Sequence, residues 1–105
     1  MKHSITYLHD MYQDSYFPDF LVDKIKAELQ GLEQFLQAGP YETEEVQAKL
    51  DDVTIAINGI QEEFFEHNSD IETVGRDSIA VTVEQILQAH GIEIDLETAL
   101  QERDW

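Results

Sequence analysis

Val46, Leu50, Val53, Ile57, Ile60 and Phe64 step along the chain by four, three, four, three and four residues. That spacing is one face of an α-helix, and it runs straight through Asn58-Gly59. The stretch from Val53 to Ile60 also alternates like a strand, and Asn-Gly is a strong hairpin signal. The residues after Gly59 do not alternate, so a hairpin lacks its second arm. A helix accounts for all six apolar positions, a hairpin for three or four. One helix is therefore predicted over about 43–67. Gly59 inside it costs about 1 kcal/mol against alanine and is expected to mark a close helix–helix contact.

Two further long helices follow from the same logic. Val22, Ile25, Leu29, Leu32 and Leu36 predict a helix over about 18–36, with Leu21 and Phe35 widening its face. Pro18 suits its first turn, and Gly39-Pro40 stops it, with glycine fit for a left-handed cap. Ser69-Asp70-Ile71-Glu72 reads as a capping box opening a helix that runs to about His90 and is closed by Gly91. Ile71, Val74, Ile79, Val83, Ile86 and Leu87 are its expected buried side. A short helix is predicted at each end. The first covers about 4–14, capped by Ser4, with Ile5, Leu8, Met11 and Tyr12 as its stripe. The last runs from Leu96 to about Glu102, capped by Asp95 and anchored by Leu96, Ala99 and Leu100. The fold class is all-α: a compact antiparallel bundle of three longer helices plus a short helix at each end, one domain over 1–105.

Charge narrows the function classes. The chain has 23 acidic and 6 basic residues, a formal net charge of −17. Nucleic-acid backbones and anionic membrane surfaces are repelled by it, so neither is an expected partner. A basic protein partner is electrostatically allowed, and so is a plain solvating role. Apolar residues make up 42% of the chain and recur at helical spacing, which argues against disorder. There is no cysteine, no apolar signal run and no stretch long enough to span a membrane. A cytoplasmic location is expected.

The residues that could carry chemistry are few. Only two arginines occur, Arg76 and Arg103, followed by Asp77 and Asp104. Guanidinium suits bidentate carboxylate pairing or anion binding. Trp105, the single tryptophan, is expected to fold back onto the bundle, with Arg103 paired to an acid in a tail clamp. Tyr12, Asp14 and Tyr16 could staple the first two helices or line a ligand cleft. Tyr12, Asp14, Tyr16, Arg76, Asp77, Arg103 and Trp105 form the candidate binding cluster. Glu62, Glu63, Glu66 and His67 are weak metal candidates, because no Glu-x-x-His pair is present and zinc needs three or four ligands. His67 and His90 fall at helix ends, where the dipole favours them. No Ser-His-Asp set, glycine-rich phosphate loop or nucleophile elbow is present.

Met11-Tyr12-Gln13-Asp14-Ser15-Tyr16-Phe17-Pro18-Asp19-Phe20-Leu21-Val22-Asp23-Lys24 resembles the opening of a family of short bacterial proteins of unknown function. The run Ile71 to Ala80, with Glu72-Thr73-Val74-Gly75-Arg76-Asp77-Ser78-Ile79, and the closing Arg103-Asp104-Trp105 are similar to that family's other signatures. The resemblance spans nearly the whole chain and is weakest around 37–50. It implies a bacterial origin and transfers no functional residue.

The leading expectation is a non-enzymatic acidic helical interaction domain that binds a basic protein, without a cofactor. The alternatives are a small-ligand binder or a magnesium-assisted phosphohydrolase with a cleft near Arg76 and Trp105. Ile55 and Phe65 lie off the main stripe of their helix, where they could face a second copy in a homo-oligomer.

Overall fold

A computed structural model describes residues 5–105. Its elements are α1 (His9–Gln13), α2 (Asp19–Gln37), α3 (Thr43–Glu66), α4 (Glu72–Ala89) and α5 (Leu96–Ala99). No strand occurs among the described residues, and the three long helices fall where the apolar spacing puts them.

α2 and α3 pack as an antiparallel pair with the most extensive interface in the fold. Lys24 near the start of α2 pairs with Glu63 near the end of α3. The facing stripes are Leu21, Val22, Ile25, Leu29, Leu32 and Leu36 against Val46, Leu50, Val53, Ile57, Ile60 and Phe64, all buried. Fully burying side chains of this size is worth about 1.5–3 kcal/mol each, which selects helix over hairpin at Asn58-Gly59. α4 packs across α1 and α2, and α5 bridges α3 and α4. Between their Cα atoms, α3 and α4 themselves come nowhere within 8 Å.

Helix ends depart from expectation more than helix bodies do. Ser4 lies outside the described residues. Residues 5–8 are not helical, because α4 takes their donors: Thr6 N–H bonds Gln85 Oε1 at 3.0 Å and Leu8 N–H bonds Thr82 Oγ1 at 3.1 Å. Leu8 is fully buried with φ at 56°, a left-handed conformation unfavourable for leucine and held by this docking. The capping box at Ser69 does not form. Ser69 Oγ donates to the Tyr16 carbonyl at 3.0 Å instead, and α4 starts without a side-chain cap. A reciprocal acid does occur at α3, where Glu42 N–H bonds Glu45 Oε1 at 2.9 Å. α5 stops at Ala99 rather than near Glu102, and its Asp95 cap accepts from Thr98 N–H at 2.9 Å. Hydrogen bonds from Thr98 hold the Asp95 carboxyl below the usual carboxylate range.

Glycines also change roles. Gly91, at φ 66°, closes α4 as expected, with Ile92 N–H reaching Leu87 O at 2.9 Å. Asn68, at φ 58°, does the same for α3, with Ser69 N–H on Phe64 O at 2.9 Å. Gly39 is not left-handed. Its space is taken by Tyr41, whose Cδ2 would lie 2.9 Å from an added Cβ. Gly59 is exposed and a Cβ there would meet nothing within 4 Å, so it marks no helix contact. The close approach belongs to Gly75, where a Cβ would lie 2.9 Å from Ile71 Cγ2 and 3.1 Å from Met11 Cε. That phase buries Gly75 and turns Val74 outward, against the expected buried position for Val74. Gly59→Ala is expected to raise stability by about 1 kcal/mol, the full helix-propensity gain. A denaturant midpoint that does not rise would contradict open space at this position.

Candidate functional site

The expected cluster is not one site. The structure divides its residues among three places, each set by a different helix face.

The first place is the tail. Asn58 on α3 grips it with both ends of its amide: Nδ2 donates to Glu102 O at 2.7 Å and Oδ1 accepts from Asp104 N–H at 2.9 Å. Gln47 Nε2 reaches Thr98 O at 2.9 Å, and Gln101 Nε2 reaches Asp51 Oδ1 at 3.2 Å. Trp105 folds back and is buried, as expected. Arg103 does not complete the expected acid pair. Among the described residues it joins no ion pair, and its guanidinium carbon lies 5.9 Å from the Trp105 ring centroid, a cation–π distance.

The second place is the early part of α4. Arg76 is half-buried, and its Nε is buried without a hydrogen-bond partner among the described residues. It joins no ion pair among the described residues, so the expected carboxylate pairing is absent here too. Asp77, about 100° further round the helix, faces a cleft of about 150 Å³ lined also by Thr6, His9, Asp10 and Ser78. Adjacent in sequence, Arg76 and Asp77 serve different surfaces.

The third place is the end of the bundle where α2 begins, α3 ends and α4 begins. Tyr12 staples α1 to α2 through a 2.5 Å bond from its hydroxyl to Asp23 Oδ1. Burial, then the Asp23 carboxylate, pushes the Tyr12 pKa well above the ordinary tyrosine range. The folded state therefore holds this proton more tightly than the unfolded chain. Its stabilisation is complete below the unfolded pKa of about 10 and fades as pH rises through the folded value. A tyrosinate absorbance titration should show a late-titrating group that Tyr12→Phe removes. An unchanged late phase in that variant would reassign it.

Asp14 and Tyr16 do come together. Asp14 Oδ1 accepts from Tyr16 N–H at 2.9 Å, and both line a cleft of about 260 Å³ with Phe17, Glu72 and Val74. A hydrogen bond to Glu72 raises the Tyr16 pKa. Phe17 is buried, with its ring 5.3 Å from Tyr16 and 6.4 Å from Phe64. Phe20 stands on the same end, edge-on to His67 at 5.0 Å. Tyr16, Phe20 and Val74 are 43–49% exposed, although all are large and apolar in body.

The weak metal candidates stay apart in role. Glu63 is tied to Lys24, and His67 Nδ1–H donates to the Glu63 carbonyl at 2.9 Å. Among the described residues, no group of three or more His, Asp and Glu side chains converges in a way that could hold a metal ion. His90 pairs through Nε2 with Glu33, joining the end of α4 to α2. No helix is long and apolar enough to cross a membrane among the described residues.

Sequence reasoning missed Asn58 and Phe20. Asn58 was read only as half of a turn signal. Phe20 sits beside Asp19 in an aromatic and acidic run, where its spacing alone does not set it apart from the tyrosines. The chain belongs to the family of unknown function DUF5713, whose profile matches residues 1–105. No curated protein and no solved structure matches it.

Proposed function

Starting from this family membership, we propose that the protein is a non-enzymatic acidic helical domain that docks onto a basic protein partner. The observation that carries this reading is how little of the acidic charge is used internally. Among the described residues, only Glu63 of the 23 acids meets a lysine or arginine, and Glu33 meets the His90 ring. The remaining field attracts cationic surfaces over roughly a Debye length, about 8 Å at physiological salt, and accelerates their encounter. The test is affinity capture from the source cell at low and at high salt. A discrete basic protein retained at low salt and released at high salt is expected. Recovery of nothing beyond what an equally acidic unrelated helical protein retains would overturn the reading.

One observation favours a second reading, a small-anion binder. Arg76 keeps a buried donor with no partner among the described residues of a strongly acidic chain. A thermal upshift with inorganic phosphate that Arg76→Lys abolishes would support it, and no shift at millimolar phosphate would dismiss it.

A further inference from the structure

We propose that the exposed aromatic end formed by Tyr16, Phe20 and Val74 is the docking surface, and that it takes a cationic peptide segment carrying apolar anchors. The inference rests on the reading of the protein as a domain for a basic partner, and it names the place and the chemistry.

The anchor half of the surface is apolar. Tyr16 and Phe20 expose nearly half their area over a rigid base. Phe17, edge-on to Tyr16, is buried against Phe64, Ser69 holds the Tyr16 carbonyl, and Phe20 is braced on His67. Aromatic side chains on a fixed base offer large contact area at little ordering cost. The cleft of about 260 Å³ beside Tyr16 has room for one aliphatic side chain.

The rim is acidic and unneutralised. Asp14 and Glu72 line the cleft with Tyr16 and Val74. Asp19, Glu66 and Asp70 are chain neighbours of Phe20, His67 and Ser69, and none of the five is in an ion pair among the described residues. The chain carries no lysine or arginine at 14–23 or at 50–75, the two segments that build this end. A second copy brings the same −17 charge and the same rim, so like charges meet face to face. Anionic lipid and nucleic acid meet the same repulsion. A cationic segment with leucine-like anchors satisfies both halves at once, in the manner of an amphipathic helix laid on an apolar patch.

The probe is a short labelled Lys/Leu peptide with leucines at i, i+3, i+4 and i+7. A Lys/Gly peptide of equal length and charge is the comparison. Fluorescence anisotropy at physiological salt should show the Lys/Leu peptide binding at least about tenfold more tightly. Tyr16→Ala with Phe20→Ala should weaken it by about tenfold or more, while Ile55→Ala with Val81→Ala, exposed elsewhere, leaves it unchanged. Circular dichroism of both double variants should match the parent, since all four positions are exposed. Amide shifts on peptide addition should concentrate at 14–20 and 66–74. Equal binding of the two peptides, or an intact affinity after Tyr16→Ala with Phe20→Ala, overturns the surface and leaves the basic-partner reading standing. Failure of the parent to bind either peptide at low salt overturns both.

Discussion

Phe64→Ala lowers the unfolding free energy by about 3–5 kcal/mol, read from chemical denaturation followed by helical circular dichroism. The ring is fully buried where α3 ends, and Phe17 meets it edge-on. Phe17 is fixed by the chain entering α2 at Pro18, so it cannot swing in to fill the gap. Domains of this size are stable by about 5–15 kcal/mol, so a large share is lost. Phe65→Ala, one residue on and half-exposed, should cost less than about 1 kcal/mol. Equal losses at 64 and 65 would mean that α3 is rotated from the orientation described.

Trp105→Ala is the second large effect, also about 3–5 kcal/mol. α3 and α4 make no close backbone approach, and α5 touches both. The Trp105 ring is buried at the end of the segment that Asn58 clamps along α3. Removing it deletes the largest apolar group of the tail and leaves its last residues held by the Asn58 amide alone, beyond the buried Ala99 and Leu100. Asn58→Ala, which frees two backbone groups to find water, should cost less, about 1–2 kcal/mol. Since Trp105 is the only tryptophan, its emission in the parent reports the tail directly. Its red shift should coincide with loss of helicity. A loss under about 1 kcal/mol in Trp105→Ala would remove the ring from the core.

The bodies of the three long helices were legible because their burial pattern repeats over four or more turns. Their ends were not, because partners distant in sequence choose them. Ser69 has the spacing of a cap, yet the Tyr16 carbonyl claims its hydroxyl from 53 residues away. Ile5 to Leu8 have helical spacing, yet Thr82 and Gln85 capture their backbone. The choice between Gly59 and Gly75 as the contact glycine depends on helix phase. The β-branched run near Gly75 hides that phase, since Val74, Ile79, Val81 and Val83 point apolar groups all around. The arginines were rightly singled out as scarce. Neither arginine pairs with a carboxylate among the described residues: Arg76 and Asp77 diverge by about 100° on α4, and Arg103 lies over the Trp105 ring instead. The aromatic end emerged only in three dimensions, because Phe20 and His67 come from different helices.

The way the N-terminal residues lie on α4 sets an order of local opening. The α2–α3 pair is built from neighbours in sequence, with a short connection between them. The bond from Leu8 to Thr82 closes a loop of 74 residues and holds a leucine in a left-handed conformation. Long loops are entropically dear and strained residues relax readily. Native-state amide exchange should therefore resolve two foldons. Residues 5–13 exchange through a low-energy excursion that leaves the α2–α3 pair protected, and the amides of that pair exchange only with global unfolding.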